Sequence, residues 1–284
     1  MGARRVPGMA ALLTAGAVAL SGCGTQAPQR LTTAAPAAAT AQAAPAATAA
    51  SPSVTPGAAG ARSGPAATVT APRKTLKLGA KGEPVEWLQK RLIQLGYRPG
   101  RVDGRYGNTT LAAVWAFQKV NDIRPTSTIA KRTWEALETP KAPRVLVKNG
   151  RPTRAEVNLT KQIMVMYVDG EAKLITHISS GSGIPYCETA SWQGKRQRFC
   201  GSATTPTGNY RTTWRVHGWH RSYLGQLYNP IFFNGGIALH GALSVPLYPA
   251  SHGCVRMPMN VAEVLPGMLG KGVPVHVRGK FRRA

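Results

Sequence analysis

The sequence predicts a chain with two folded domains, a small three-helix bundle followed by a mostly β domain. Three observations carry that expectation. Apolar residues recur at helical spacing between Val85 and Leu137, a period of two takes over after Gln162, and short apolar runs broken by Gly and Pro continue from there to the C-terminus. A length of 284 residues leaves room for two modest domains.

Ahead of both domains, Arg4 and Arg5 followed by the apolar run Met9 to Leu20 read as a signal peptide, because the run is too short to cross a bilayer as a helix. It ends in Leu20-Ser21-Gly22-Cys23, which resembles the lipobox of bacterial lipoproteins. That resemblance implies removal of residues 1–22, diacylation of Cys23, and an exported protein lipid-anchored to the outer face of the cytoplasmic membrane. The Ala/Pro/Thr tract that follows has no periodicity and too few large apolar side chains to bury a core, so residues 23–74 are expected to be a disordered linker. With Pro spaced through it, the tract is semi-stiff, and at about 3.1 Å per residue it reaches roughly 160 Å.

Residues 75–139 form the helical unit. Glu83-Pro84 places a proline in a first turn, Val85, Leu88, Leu92 and Leu95 share a face, and Gly96 stops the helix. The turn Asp103-Gly104-Arg105-Tyr106-Gly107 leads to a second helix, with Asn108 the expected N-cap and Thr110, Ala113, Val114 and Phe117 on one face. A shorter third helix carries Trp134 and Leu137. Residues 140–151 are a Pro-containing bridge. Residues 152–284 make the β domain and a basic C-terminal tail: Gln162–Val168 and Ala172–Ser179 form a hairpin through Asp169-Gly170, turns such as Thr205-Pro206-Thr207-Gly208 punctuate short strands, a helix spans Asn260–Met268, and Val273–Val277 is the last strand.

Lys and Arg outnumber Asp and Glu by 36 to 11, a formal charge of +25. Such a balance ordinarily raises nucleic acid as a partner. Export argues against it, and in a cell envelope the same charge meets anionic headgroups and wall polymers instead. The four cysteines divide by position. Cys23 is the lipid site. Cys187 and Cys200 flank a short polar segment and are expected to pair in an oxidising compartment, a closure that stabilises by about 3 kcal/mol on a chain-entropy model. Cys254 is left over, and an unpaired thiol in an exported protein asks for a chemical role.

The residues around Cys254 supply one. Gly235-Gly236-Ile237-Ala238-Leu239-His240-Gly241 precedes Ser251-His252-Gly253-Cys254-Val255-Arg256-Met257 across a Gly/Pro-bracketed stretch short enough for a hairpin-like return. A thiol attacks as thiolate, and an imidazole that takes its proton remains as a cation that lowers the thiol pKa. Gly253 permits a tight turn that aims the Gly253 and Cys254 N–H groups at one point, as an oxyanion hole requires. His177 is placed on a strand face, His217 and His220 on a loop, and Tyr228, Phe232 and Phe233 in the core or a cleft wall, none with assigned chemistry.

Two resemblances extend this reading. V-x-x-L-Q-x-x-L-x-x-L-G-Y followed by D-G-x-Y-G-x-x-T-x-x-A-V-x-x-F-Q resembles the peptidoglycan-binding domain type 1, which implies a three-helix module docking on wall peptides. The His-Gly and Ser-His-Gly-Cys-x-Arg segments resemble the catalytic motif of the YkuD-type L,D-transpeptidases, with matching over nearly all of residues 152–279, although the His240 to Ser251 interval is shorter than in many members. The resemblance implies Cys254 as nucleophile, His240 as general base, the Gly241 carbonyl orienting the imidazole, His252 lining the site as a further catalytic residue, Ser251 and Gly253 serving the oxyanion and substrate binding, and Arg256 holding a substrate carboxylate. It also implies thioester acyl transfer from a tetrapeptide stem with release of D-Ala and formation of 3→3 cross-links, acylation by carbapenems, no cofactor and no metal, and a monomer whose partners are stem peptides and, through Cys23, the membrane. The same acyl-enzyme would serve an L,D-carboxypeptidase or attach a protein to the wall. A zinc peptidase or amidase lacks its H-E-x-x-H signature here, and a non-catalytic wall-binding lipoprotein leaves the thiol unexplained.

Overall fold

The computed structural model describes residues 69–281. The signal segment, Cys23, the tract up to residue 68 and residues 282–284 lie outside the described residues. Among the described residues no helix is long and apolar enough to cross a membrane.

The helical module consists of α1 (Glu83–Gln94), α2 (Asn108–Val120) and α3 (Lys131–Glu138). Pro84 sits in the first turn of α1, Glu83 and Glu86 face its positive end, and Gly96 at φ +82° turns the chain away from it. Gln89 explains why a polar residue stands in the apolar stripe. Its Oε1 accepts the Asp103 and Gly104 N–H groups and its Nε2 donates to Asp103 Oδ1 at 2.9 Å and Arg105 O at 3.1 Å, so one buried amide ties α1 to the turn before α2. Asn108 does not cap α2 as the sequence suggests. Gly107 takes the extended cap position, no side chain caps the helix, and Asn108 is its first residue. The chain also joins this module before Thr75: Ala71 is buried with its N–H on Glu138 Oε1, Arg73 pairs with Glu138, and Trp134 Nε1 donates to Lys74 O.

The β domain runs through β1 (Arg154–Asn158), β2 (Ile163–Val168), β3 (Glu171–His177), β4 (Pro185–Trp192), β5 (Lys195–Ser202), β6 (Gly208–Arg211), β7 (Trp219–Ser222), β8 (Gly225–Asn234), β9 (Ile237–Gly241), β10 (Val255–Met257), α4 (Met259–Met268) and β11 (Pro274–Arg278). One sheet has the order β3-β2-β1-β11-β6, a second β10-β9-β8-β7, and β4-β5 stands apart as a hairpin. The β2–β3 turn has Asp169 at φ +52° and Gly170 at φ +86°, the paired left-handed geometry that an Asp-Gly hairpin favours.

Strand β2, Ile-Met-Val-Met-Tyr-Val, is apolar at every position because both of its faces are covered. Met164 and Met166 point into the core between the two sheets, with Val275, Leu239, Val255 and Leu265, while Ile163, Val165 and Tyr167 join Leu92, Val114 and Phe117 in a core shared with the helices. The helical module is thus packed on the outer face of the first sheet by a continuous apolar layer.

Replacing Gln89 by Ala leaves the buried Gly104 N–H and the half-buried Asp103 N–H without an acceptor, and an unpaired buried polar group costs about 1–3 kcal/mol, less where water reaches it. Urea unfolding of Gln89→Ala should therefore show a loss of about 2–4 kcal/mol, whereas Asn108→Ala, which removes no cap bond, should stay within about 0.5 kcal/mol of the parent.

Candidate active site

The second sheet brings the two halves of the motif together. Strand β10 lies parallel to β9 with Val255 opposite Leu239, Arg256 opposite His240 and Met257 opposite Gly241. That register carries Cys254 alongside Ala238, whose N–H lies 3.4 Å from Sγ, and the thiol lies 3.6 Å from Gly236 O. Because side chains alternate along a strand, Cys254, His240 and Arg256 share one face. All three line a cleft of about 750 Å³, with Tyr186 and Trp192 of the β4–β5 hairpin, Trp219 and His220 of β7, and Trp214 around it.

The imidazole is fixed by its neighbour. His240 is buried, and its Nδ1 lies 2.9 Å from Gly241 O, a carbonyl that only accepts, so Nδ1 carries the proton and Nε2 is left unprotonated. A side chain at Gly241 would put a Cβ 2.8 Å from Ala262 Cβ, so close packing of α4 demands glycine there. Burial pushes the His240 pKa down to about 4; the Gly241 bond opposes this and the Arg256 cation reinforces it. Burial likewise pushes the Cys254 thiol up, against the Ala238 N–H and the Arg256 charge. Desolvation thus favours the neutral thiol and the neutral imidazole in the resting site.

The loop around Cys254 is held from three sides. Gly253 adopts φ +136°, its carbonyl accepts Thr205 Oγ1 at 2.6 Å, and Thr205 Oγ1 in turn accepts the Gly181 N–H at 2.8 Å. Ser251 Oγ donates to Cys254 O and accepts the Gly253 N–H at 3.0 Å. That bond occupies one of the two donors that the sequence suggests for an oxyanion hole. His252 Nε2 lies 2.7 Å from Glu188 Oε1 and its ring meets Tyr186 edge-on at 4.7 Å, so the β4–β5 hairpin touches the residue two before the thiol. Cys187 and Cys200 stand opposite each other in that hairpin and are joined as a disulfide.

Comparison with known proteins follows the same division. Residues 152–277 match the L,D-transpeptidase catalytic domain and residues 81–137 a putative peptidoglycan binding domain. A crystal structure of the L,D-transpeptidase from Xylanimonas cellulosilytica DSM 15894 is 35% identical, with a TM-score of 0.64, covering 72% of this chain and 98% of that one. The chain belongs to the L,D-transpeptidase family. An L,D-transpeptidase structure from Stackebrandtia nassauensis is similar at 24% identity and a TM-score of 0.41, covering 75% of this chain and 98% of that one.

In this L,D-transpeptidase chain, His220 lies on β7 at the cleft rather than on a loop, and Phe232 stacks under Trp214 with centroids 3.6 Å apart. Tyr186, Glu188 and Thr205 were not singled out from the sequence as site residues. Only Glu188 carried a signal, as an acid beside a cysteine in a chain with 11 acids. Among the described residues no three His, Cys, Asp or Glu side chains gather as a metal site.

Desolvation raises the Cys254 thiol above its ordinary value, so its alkylation by iodoacetamide should keep rising with pH through and beyond 9.0. Quantifying the alkylated Cys254 peptide by mass spectrometry checks this. A rate plateau extending down to acid pH would show an ion pair instead.

Proposed function

We propose that the chain forms 3→3 peptidoglycan cross-links by acyl transfer through a thioester on Cys254, with His240 as general base. The observation that carries this reading is the parallel β9–β10 register, which sets the one free cysteine among the described residues and an Nδ1-protonated histidine on the same face of one open cleft. His240 Nε2 takes the thiol proton as Sγ attacks the carbonyl of the third residue of a tetrapeptide stem. The oxyanion is met by the Cys254 N–H, and the Arg256 guanidinium beside it holds the terminal carboxylate of the donor. The C–N bond breaks, the imidazolium returns its proton to the departing amine, and D-Ala leaves. The side-chain amine of a second stem then attacks the thioester, loses a proton to His240, and releases the thiol.

His252 acts here as a wall of the site, oriented by Glu188 and Tyr186, while Ser251, Gly253 and the Gly241 carbonyl hold the two reacting groups in place. Residues 75–139 serve to dock the enzyme on wall peptides, and a lipidated Cys23 followed by the 23–74 linker tethers it as a monomer outside the cytoplasmic membrane. Water in place of the second amine makes the same acyl-enzyme an L,D-carboxypeptidase, and a protein amine makes it an attachment enzyme.

Incubating purified protein with tetrapeptide-bearing wall and analysing the muropeptides by mass spectrometry tests the reading. The wild type should yield 3→3 dimers, Cys254→Ala none, and His240→Gln about 10²- to 10⁴-fold less, the usual contribution of a general base. Tripeptides without dimers would assign the carboxypeptidase reaction, and activity lost to a chelator but retained in Cys254→Ala would overturn the thiol mechanism.

A further inference from the structure

The helical module does more than lie against the sheet. Lys119, in the last turn of α2, is buried, and its Nζ lies 2.8 Å from His177 Nδ1 and 3.1 Å from Gln162 O. His177, at the end of β3, is fully buried with its Nε2 2.9 Å from Val245 O. A carbonyl only accepts, so Nε2 carries the hydrogen and Nδ1 is the acceptor for the lysine. Burial drives the His177 pKa down to about 3, with the Lys119 charge reinforcing it, which keeps the ring neutral and the direction of the chain fixed. Trp115 of α2 closes over the ring edge-on at 5.3 Å.

Both arms of this contact end on the segment that joins the base to the nucleophile, residues 242–253. The first reaches Val245 through His177. The second runs from Gln162, whose Oε1 accepts the Ser180 N–H at 2.8 Å, to Ser180 O, which accepts the N–H groups of Ala250 at 2.9 Å and Ser251 at 3.0 Å. Ser251 Oγ in turn bonds the Cys254 carbonyl.

A buried amine costs several kcal/mol to desolvate unless it is satisfied, and a Leu or Met would fill the same space in the apolar layer at no such cost. We propose that Lys119 is a positioning residue for the transpeptidase reaction, which sets the 242–253 segment through His177 and Gln162 and thereby makes the peptidoglycan-binding module part of the catalytic scaffold. This rests on the cysteine mechanism proposed above. It assigns the module a role besides docking, because the amine that fixes His177 and the Gln162 carbonyl lies on α2 and not in the β domain.

Lys119→Met keeps the aliphatic stem and removes only the amine. With a soluble tetrapeptide donor, its kcat should fall about tenfold while KM stays within about twofold, since displacement of reacting groups by a fraction of an ångström costs on that scale. Iodoacetamide alkylation of Cys254 should move the other way, rising about threefold at pH 7 as a loosened loop no longer holds the sulfur protonated. Leu137→Ala in α3, a destabilising change in the same module away from the relay, should leave both rates unchanged. A Lys119→Met enzyme with wild-type kcat and alkylation rate, or a Leu137→Ala enzyme with the same losses, would overturn the proposal. Should Lys119→Met fail to fold, the imidazole nitrogen NMR spectrum of the wild type decides: a His177 protonated at Nδ1 breaks the chain and overturns it, and the Nε2–H form with an accepting Nδ1 supports it. A wild type that makes no 3→3 product would sink the cross-linking reading alone, since the alkylation comparison needs no peptide.

Discussion

The site depends on the parallel pairing of a strand only three residues long. β10 is too short to be stable by its own ladder, and it holds its register because it is gripped on both sides. On one side it pairs with β9, and on the other Ser179 and Arg256 exchange both backbone hydrogen bonds at 3.0 Å. Val255 and Met257 anchor it from below in the core between the sheets, each with no accessible surface. A slip by one residue would turn these two side chains out and Cys254 in. The cost of exposing them is what keeps the thiol on the cleft side.

The same burial that secures the register shapes the electrostatics. The packing that positions the two reacting groups buries His240 and half-buries Cys254, so each is driven toward its neutral form, and the Arg256 cation can offset this for the sulfur only by disfavouring charge on the imidazole. A resting ion pair would need a site more open to solvent or a counter-anion beside His240, and the chain puts its nearby carboxylate, Glu188, on His252 instead. On the proposed mechanism the charge separation is deferred to the moment of attack, when the cleft is filled and the developing oxyanion supplies the missing counter-charge.

The fold was legible because its signals are local. Helical spacing around Leu88 and Phe117 and the Asp169-Gly170 turn each report on a few neighbouring residues, whereas β2, expected to alternate, is apolar throughout because the helices cover its second face. Where expectation and structure differ, a backbone geometry or a partner that the local pattern does not display decides the outcome. Asn108 looks like a cap until Gly107 takes that position, and Ala71 and Arg73 look like linker until α3 offers Glu138. At the site, Cys254 and His240 stood out through motif and unpaired thiol, but their protonation states did not, since desolvation is a property of packing that a sequence does not display. His220, expected on a loop, stands instead in β7, which begins at Trp219 and pairs along β8.

The all-apolar β2 run also has an architectural meaning beyond stability. A strand buried on one face permits the modules to move as separate bodies, whereas one buried on both faces fixes the helices against the sheet. Ile163, Val165 and Tyr167 do this with apolar contacts, which are non-directional and tolerate small shifts. Hydrogen bonds do not. Lys119 adds a directional contact from α2 to His177 at the end of β3, and His177 passes that orientation to Val245 in the segment between His240 and Cys254.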